Sequence, residues 1–321
     1  MSRVDVHQHL WSEPLVQALS ERRQLPFIRD EHGLTVLYLA HEPAYVIDLE
    51  SETPAQRAAL VEQDGLDQAL VCLSSPLGIE SLPREQALPL LDAYHEGALA
   101  LGEPFGVWGA IALDGPDPAD IDEALNRGCV GLSLPAGALA SVDALAGLRP
   151  VLARLEMRGA PLLIHPGPGP WRDSGGYGMR APARQSRLDD PLWWPALTGY
   201  VADMQAAWLA YLTAGRARHP RLRVVFSMLA GLAPLHAERL ISRGAPSPQT
   251  WDPLVFYETS SYGAATVRLL QDAVGAQQVL FGSDRPVVEP GELGMPAALD
   301  WDPIADGTIR ALGSARAIAA I

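Results

Sequence analysis

Eight times along this chain, a short run of β-branched and other apolar residues is followed by a longer stretch with helical spacing. The runs are RVDVHQHL at residues 3–10, then QALVCLS, FGVWGAIAL, CVGLSLP, PLLIHPG, LRVVFSML, LVFYETS and QVLFGSD. Segments such as PREQALPLLDAYHEGALALG and GYVADMQAAWLAYLTAG separate them, and DGTIRALGSARAIAAI follows the last. Parallel strands need a crossover between them, and eight successive βα units predict an α/β fold of the (β/α)8 kind, a TIM barrel. Several helical segments stop at a glycine just before the next strand, where a helix end turns left-handed. An open doubly wound sheet is the weaker alternative, because no G-x-G-x-x-G follows the first strand. One barrel domain over residues 1–321 is therefore expected.

Two connections exceed an ordinary βα loop. Residues 11–50 follow the first strand and contain LTVLYLA, which suggests a small hairpin. Residues 167–194 follow the fifth strand and are rich in Gly, Pro, Arg and Trp. In a barrel both lie on the C-terminal face, where long loops form lids or substrate walls.

Apolar residues make up 48% of the chain and charged ones 19%, enough for a large core. The formal charge of −14 would repel a phosphate backbone, which argues against a nucleic-acid partner. Cys72 and Cys129 lie far apart inside apolar runs and read as buried free thiols of a reducing compartment. MSRVDVHQHLW has no apolar leader segment, and no stretch approaches the ~20 apolar residues that cross a bilayer. The expectation is a cytoplasmic protein with no membrane partner.

His7 and His9 are two apart on a strand, so both imidazoles point the same way. Neutral imidazole is the commonest metal ligand, and two on one rigid strand form a preset pincer. His165 ends the fifth strand and Asp284 ends the eighth. Four such residues at strand ends predict a site for one divalent ion held by His7, His9, His165 and Asp284. A bound ion can lower the pKa of water to about 7, and a carboxylate beside it can carry a proton. Asp284 is thus also a catalytic candidate.

H-x-H on the first strand, a histidine ending the fifth and G-S-D-x-P ending the eighth together resemble the amidohydrolase superfamily. The likeness spans nearly the whole chain. It is closest to the amidohydrolase-related branch, with aminocarboxymuconate semialdehyde decarboxylase and related hydrolases and decarboxylases. That resemblance implies one divalent metal ion on the four residues named, zinc first and manganese second, and a homodimer. It also exposes a departure. The branch ends its sixth strand with a histidine followed by glycines, whereas FSMLAGLAP has Met228 there. A thioether transfers no proton. Either Asp284 does all the acid–base work, or His236, at the start of the next helix, replaces the missing group.

Arginines point to an anionic substrate, since a guanidinium pairs with a carboxylate. Arg239 stands at the spacing where the branch's decarboxylases bind a substrate carboxylate, and Arg285 directly follows Asp284. Arg172, Arg180, Arg184 and Arg187 lie in the long loop after the fifth strand. Trp11, Trp171, Tyr177, Trp193 and Trp194 are candidates to line a pocket for a ring. Glu258 and Tyr262 flank the end of the seventh strand as further pocket candidates. Three functions for a small-molecule substrate follow, in this order. The first is metal-dependent hydrolysis of a C–N or C–O bond in a carboxylate-bearing compound. The second is non-oxidative decarboxylation of an aromatic or unsaturated acid. The third is non-catalytic ligand binding on the same scaffold.

Overall fold

A computed structural model describes residues 2–40, 42–170, 193–245 and 251–313, with the side chain of Trp193 excepted. The candidates Trp171, Arg172, Tyr177, Arg180, Arg184 and Arg187 lie outside the described residues.

The strands are β1 (Val4–Gln8), β2 (Phe27–Glu31), β3 (Leu34–Tyr38), β4 (Tyr45–Ile47), β5 (Gln68–Val71), β6 (Phe105–Gly109), β7 (Gly131–Pro135), β8 (Leu162–His165), β9 (Val224–Phe226), β10 (Val255–Glu258) and β11 (Val279–Leu280). β1 and β5 to β11 pair in chain order, all parallel. Val6 N–H donates to the Phe281 carbonyl at 2.9 Å and Asp284 N–H to that of His7 at 2.9 Å, which joins the last strand to the first. The result is the predicted (β/α)8 barrel.

Strand residues alternate between two buried layers, as a period of two requires when helices cover the outside. Leu162, Ile164, Val224, Phe226, Val255 and Tyr257 pack with the helical Val151, Leu152, Met204 and Trp208. Their neighbours Leu163, Val225 and Phe256 meet Leu70 and Trp108 from across the ring, in the barrel interior. Helix starts follow local chemistry. Thr53 and Gln56 form a reciprocal capping box ahead of the helix Pro54–Gln63, and the Asp117 side chain accepts from Ala119 N–H at the next helix but one.

The expected hairpin in residues 11–50 is present and gains a strand: β2, β3 and β4 form an antiparallel sheet. His32 and Gly33, both at positive φ, make the tight β2–β3 turn. After β9 the backbone does something the sequence pattern hides. Met228, Leu229, Ala230, Gly231 and Leu232 all take left-handed values, with φ between 49° and 62°.

Candidate metal centre

His7 lies on β1 and His9 just beyond its end, and their rings do share a direction, with centroids 5.0 Å apart. His165, the last residue of β8, brings its ring to 4.7 Å from His7 and 4.9 Å from His9. His9 Nε2 is 3.3 Å from His7 Nε2 and 3.2 Å from His165 Nε2. Asp284 Oδ1 lies 3.1 Å from His9 Nε2 and 3.5 Å from His7 Nε2. The three histidines are buried, and the Asp284 side chain retains 14% exposure. Solvent therefore reaches the cluster at its carboxylate.

The opposite ring nitrogens show what the cluster is built to hold. His7 Nδ1–H donates to Glu258 Oε2 at 2.9 Å, His9 Nδ1–H to the Cys72 carbonyl at 2.9 Å, and His165 Nδ1–H to the Pro166 carbonyl at 2.6 Å. Each acceptor fixes the hydrogen on Nδ1, so each neutral ring presents a lone pair at Nε2. Three such lone pairs and a carboxylate oxygen then face one another. Four donors about 2.0–2.1 Å from a common tetrahedral centre lie about 3.3 Å apart, the spacing seen here. The residues fit a divalent cation.

Protons compete for the same lone pairs. Burial works against charge on His7, but Cys72 and Glu258 outweigh it and carry its pKa well above the ordinary value. Burial likewise opposes charge on His9, and Cys72 and the Asp284 hydrogen bond lift it to about 9. His165 is driven well down, by burial and then by the charges of His7 and His9. Burial alone would raise Asp284, but the hydrogen bond from His9 and both charged rings bring it below the usual carboxylate value.

A polar scaffold holds β1 in place. Asp5 Oδ1 accepts from His7 N–H at 3.0 Å and Ser283 N–H at 3.0 Å, tying the first strand to the Ser283–Asp284 turn. Asp5 Oδ2 accepts from Gln8 Nε2 at 2.7 Å. Arg57, 1% exposed, donates to the His9 carbonyl at 2.9 Å, to Gln8 Oε1 at 2.6 Å and to Glu52 at 2.8 Å. Asp284 itself sits at φ 63°, a conformation costing about 1–3 kcal/mol that such a frame must hold.

The remaining candidates scatter. Arg285, expected to meet substrate, needs correction: its buried guanidinium is bound to Asp64 and Glu289, so its charge is already met. Adjacent residues in a turn point apart, and Asp284 takes the inward direction. His236 is exposed, unlike the buried histidines, and Arg239 is exposed on the short helix Ala237–Ser242. Met228 is buried, its N–H donating to Ser260 Oγ at 3.3 Å. Trp11 is half-buried and, with His9, Cys72 and Tyr94, lines a small apolar nook.

Cys72 is the residue whose place was missed. It is a buried free thiol as expected, but its sulfur lies 3.6 Å from His9 Nδ1 and within 4.8 Å of the donor atoms of all three histidines. It approaches the nitrogen already spent on the Cys72 carbonyl, behind the ring. The available signal was its place at the end of the second barrel strand, on the face where barrels build sites.

A family model described as amidohydrolase matches residues 4–312. No curated protein matches the chain. Among solved structures, IDCase of Metarhizium anisopliae in apo form superposes with a TM-score of 0.69 at 17% identity, over 99% of this chain and 96% of that one. The 5-carboxyvanillate decarboxylase of Sphingomonas paucimobilis gives 0.65 at 18% identity, over 100% and 98%. The 5-carboxyvanillate decarboxylase of Novosphingobium aromaticivorans, complexed with manganese and 4-hydroxy-3-methoxy-5-nitrobenzoic acid, gives 0.67 at 16% identity, over 95% and 92%. At these identities the likeness concerns the fold.

Proposed function

This chain belongs to the amidohydrolase family, and we propose that it is a metal-dependent decarboxylase of a small aromatic or unsaturated carboxylic acid. One divalent ion would be held by His7, His9, His165 and Asp284. Three imidazoles and a carboxylate suit zinc and manganese alike. When bound, the ion supplies a Lewis acid that draws in the oxygens of an acidic substrate and stabilises negative charge on them.

The observation that carries the reading is that Asp284 is the one exposed member of the cluster, and no imidazole stands where Met228 does. One proton carrier is enough for decarboxylation. Asp284 takes a proton from a substrate hydroxyl or from water and passes it to the carbon that bears the carboxylate. The C–C bond then breaks, its electron pair restores the π bond that formed the new C–H bond, and CO2 leaves. The net change is R–COO⁻ plus H⁺ giving R–H plus CO2, with solvent at the exposed edge of Asp284 restoring the proton. The names of the structurally similar carboxyvanillate enzymes agree with this class of substrate. This reverses the order expected from sequence, where hydrolysis came first.

Hydrolysis of a lactone or amide is the second reading, favoured by the family's description. A panel of aromatic and unsaturated acids assayed for CO2 release, beside lactones and amides assayed for acid release, separates the two. Decarboxylation in D2O should place deuterium on the former carboxylate-bearing carbon. Acid release without CO2 would overturn the first reading in favour of the second.

A further inference from the structure

Glu258 ends β10 with its side chain fully buried, and three donors converge on its carboxylate. His7 Nδ1–H reaches Oε2 at 2.9 Å, Ser260 Oγ–H reaches the same oxygen at 2.9 Å, and Ser260 N–H donates to Oε1. Contacts from a ring N–H, a hydroxyl and a backbone N–H suit a carboxylate, which accepts at both oxygens. Ser260 Oγ in turn accepts from Met228 N–H at 3.3 Å. A chain of hydrogen bonds thus runs from the left-handed turn after β9, through Ser260 and Glu258, to the back of His7. Gly282 belongs to the same arrangement: a Cβ there would overlap the Glu258 carboxylate. The glycine of G-S-D-R-P is therefore required by a side chain on the neighbouring strand.

We infer that Glu258 is a positioning residue that sets the donor strength of His7 and supplies the second negative charge of the metal site. The inference rests on the metal-binding reading above. A carboxylate on Nδ1–H locks the tautomer, fixes the ring and makes Nε2 a stronger donor. It also completes the charge balance. Asp284 and Glu258 together carry two negative charges beside three neutral rings, matching a divalent ion in a site where an unbalanced buried charge is costly.

The test is metal affinity of chelator-stripped protein, measured by competition with an indicator dye, with cobalt(II) spectra as a second readout. Wild type should bind one cobalt or zinc ion per chain; if it binds none, the metal reading itself fails. Glu258→Gln keeps the shape and removes the charge. Its affinity should fall by roughly 10- to 100-fold and its cobalt spectrum should shift, while the stripped protein melts within a few degrees of wild type. Affinity within twofold of wild type would overturn the inference. Should Glu258→Gln fail to fold, Ser260→Ala decides, since it keeps the carboxylate and removes one donor. A loss of roughly 2- to 10-fold supports the inference, and an unchanged affinity overturns it.

Discussion

On the β1–β11 side of the barrel mouth, the groups around the histidines are tied by polar contacts. Asp5, Gln8, Arg57 and Ser283 brace the segments that carry His7, His9 and Asp284 through five hydrogen bonds, in addition to those that orient the rings. On the β9 side, Met228 to Leu232 trade polar groups for apolar ones, and the backbone turns left-handed through all five. Left-handed backbone costs a non-glycine residue roughly 1–2 kcal/mol, and four of the five are not glycine. Burial of Leu229 and Ala230, and Gln205 Nε2 donating to the Gly231 carbonyl at 2.7 Å, help hold the turn. The contrast separates a polar half of the site, where the proposed ligands sit, from an apolar half. The first side carries the buried polar contacts, and among the described residues the turn of the second, Met228 to Leu232, carries no ionisable side chain.

The sharpest way to break that contrast is at Asp284. Asp284→Asn should keep the fold and reduce turnover by a factor on the order of 10² to 10⁴, the contribution of a positioned acid or base. His236→Ala, measured in the same assay, should change turnover less than about threefold, well under that range. A loss at His236 as large as that at Asp284 would mean the β9 side does supply a proton carrier.

Glu80 is an exception to the well-partnered pattern. It is buried in the turn after β5, where Ser75 Oγ–H donates to Oε1 at 2.5 Å and Oε2 has no partner. Burial pushes its pKa up to about 7. A carboxyl raised on folding favours the native state while protonated, so its ionisation lowers stability as pH rises from the unfolded value through 7. Glu80→Gln should remove that loss, stabilising the protein on the order of 2–3 kcal/mol at pH 8 and little at pH 5. Thermal unfolding at the two pH values checks this, and an equal effect at both would contradict it.

The smallest effect belongs to the strained turn. Ala230→Gly relieves one left-handed residue, about 1–2 kcal/mol. It loses a buried methyl, about 0.8 kcal/mol, and gains unfolded-state entropy. The net change should stay within about 1 kcal/mol of zero, on the stabilising side. Denaturant unfolding resolves it. A net loss would show that packing, and not backbone conformation, dominates that turn.

The barrel and the four facing residues were legible because their signals are local and periodic. A strand one residue out of step would have turned His7 and His9 to the other face, and G-S-D-x-P names its own turn. Glu258 was visible only as a strand end, because its contact with His7 joins residues far apart in the chain. Cys72 read as core because a cysteine in ALVCLSS carries no sign of what its strand end faces. Arg285 misled for a related reason: adjacency to Asp284 in sequence says nothing about direction in a turn. The left-handed run at Met228 has one glycine, too few to announce five such residues.

Protein stripped with a chelator and titrated calorimetrically with zinc and with manganese should bind one ion per chain. His165→Ala, which removes one facing nitrogen and leaves the β1 scaffold intact, should abolish that binding. An unaltered isotherm in His165→Ala, or no binding to wild type by either metal, would contradict the assignment of the buried cluster as a metal centre.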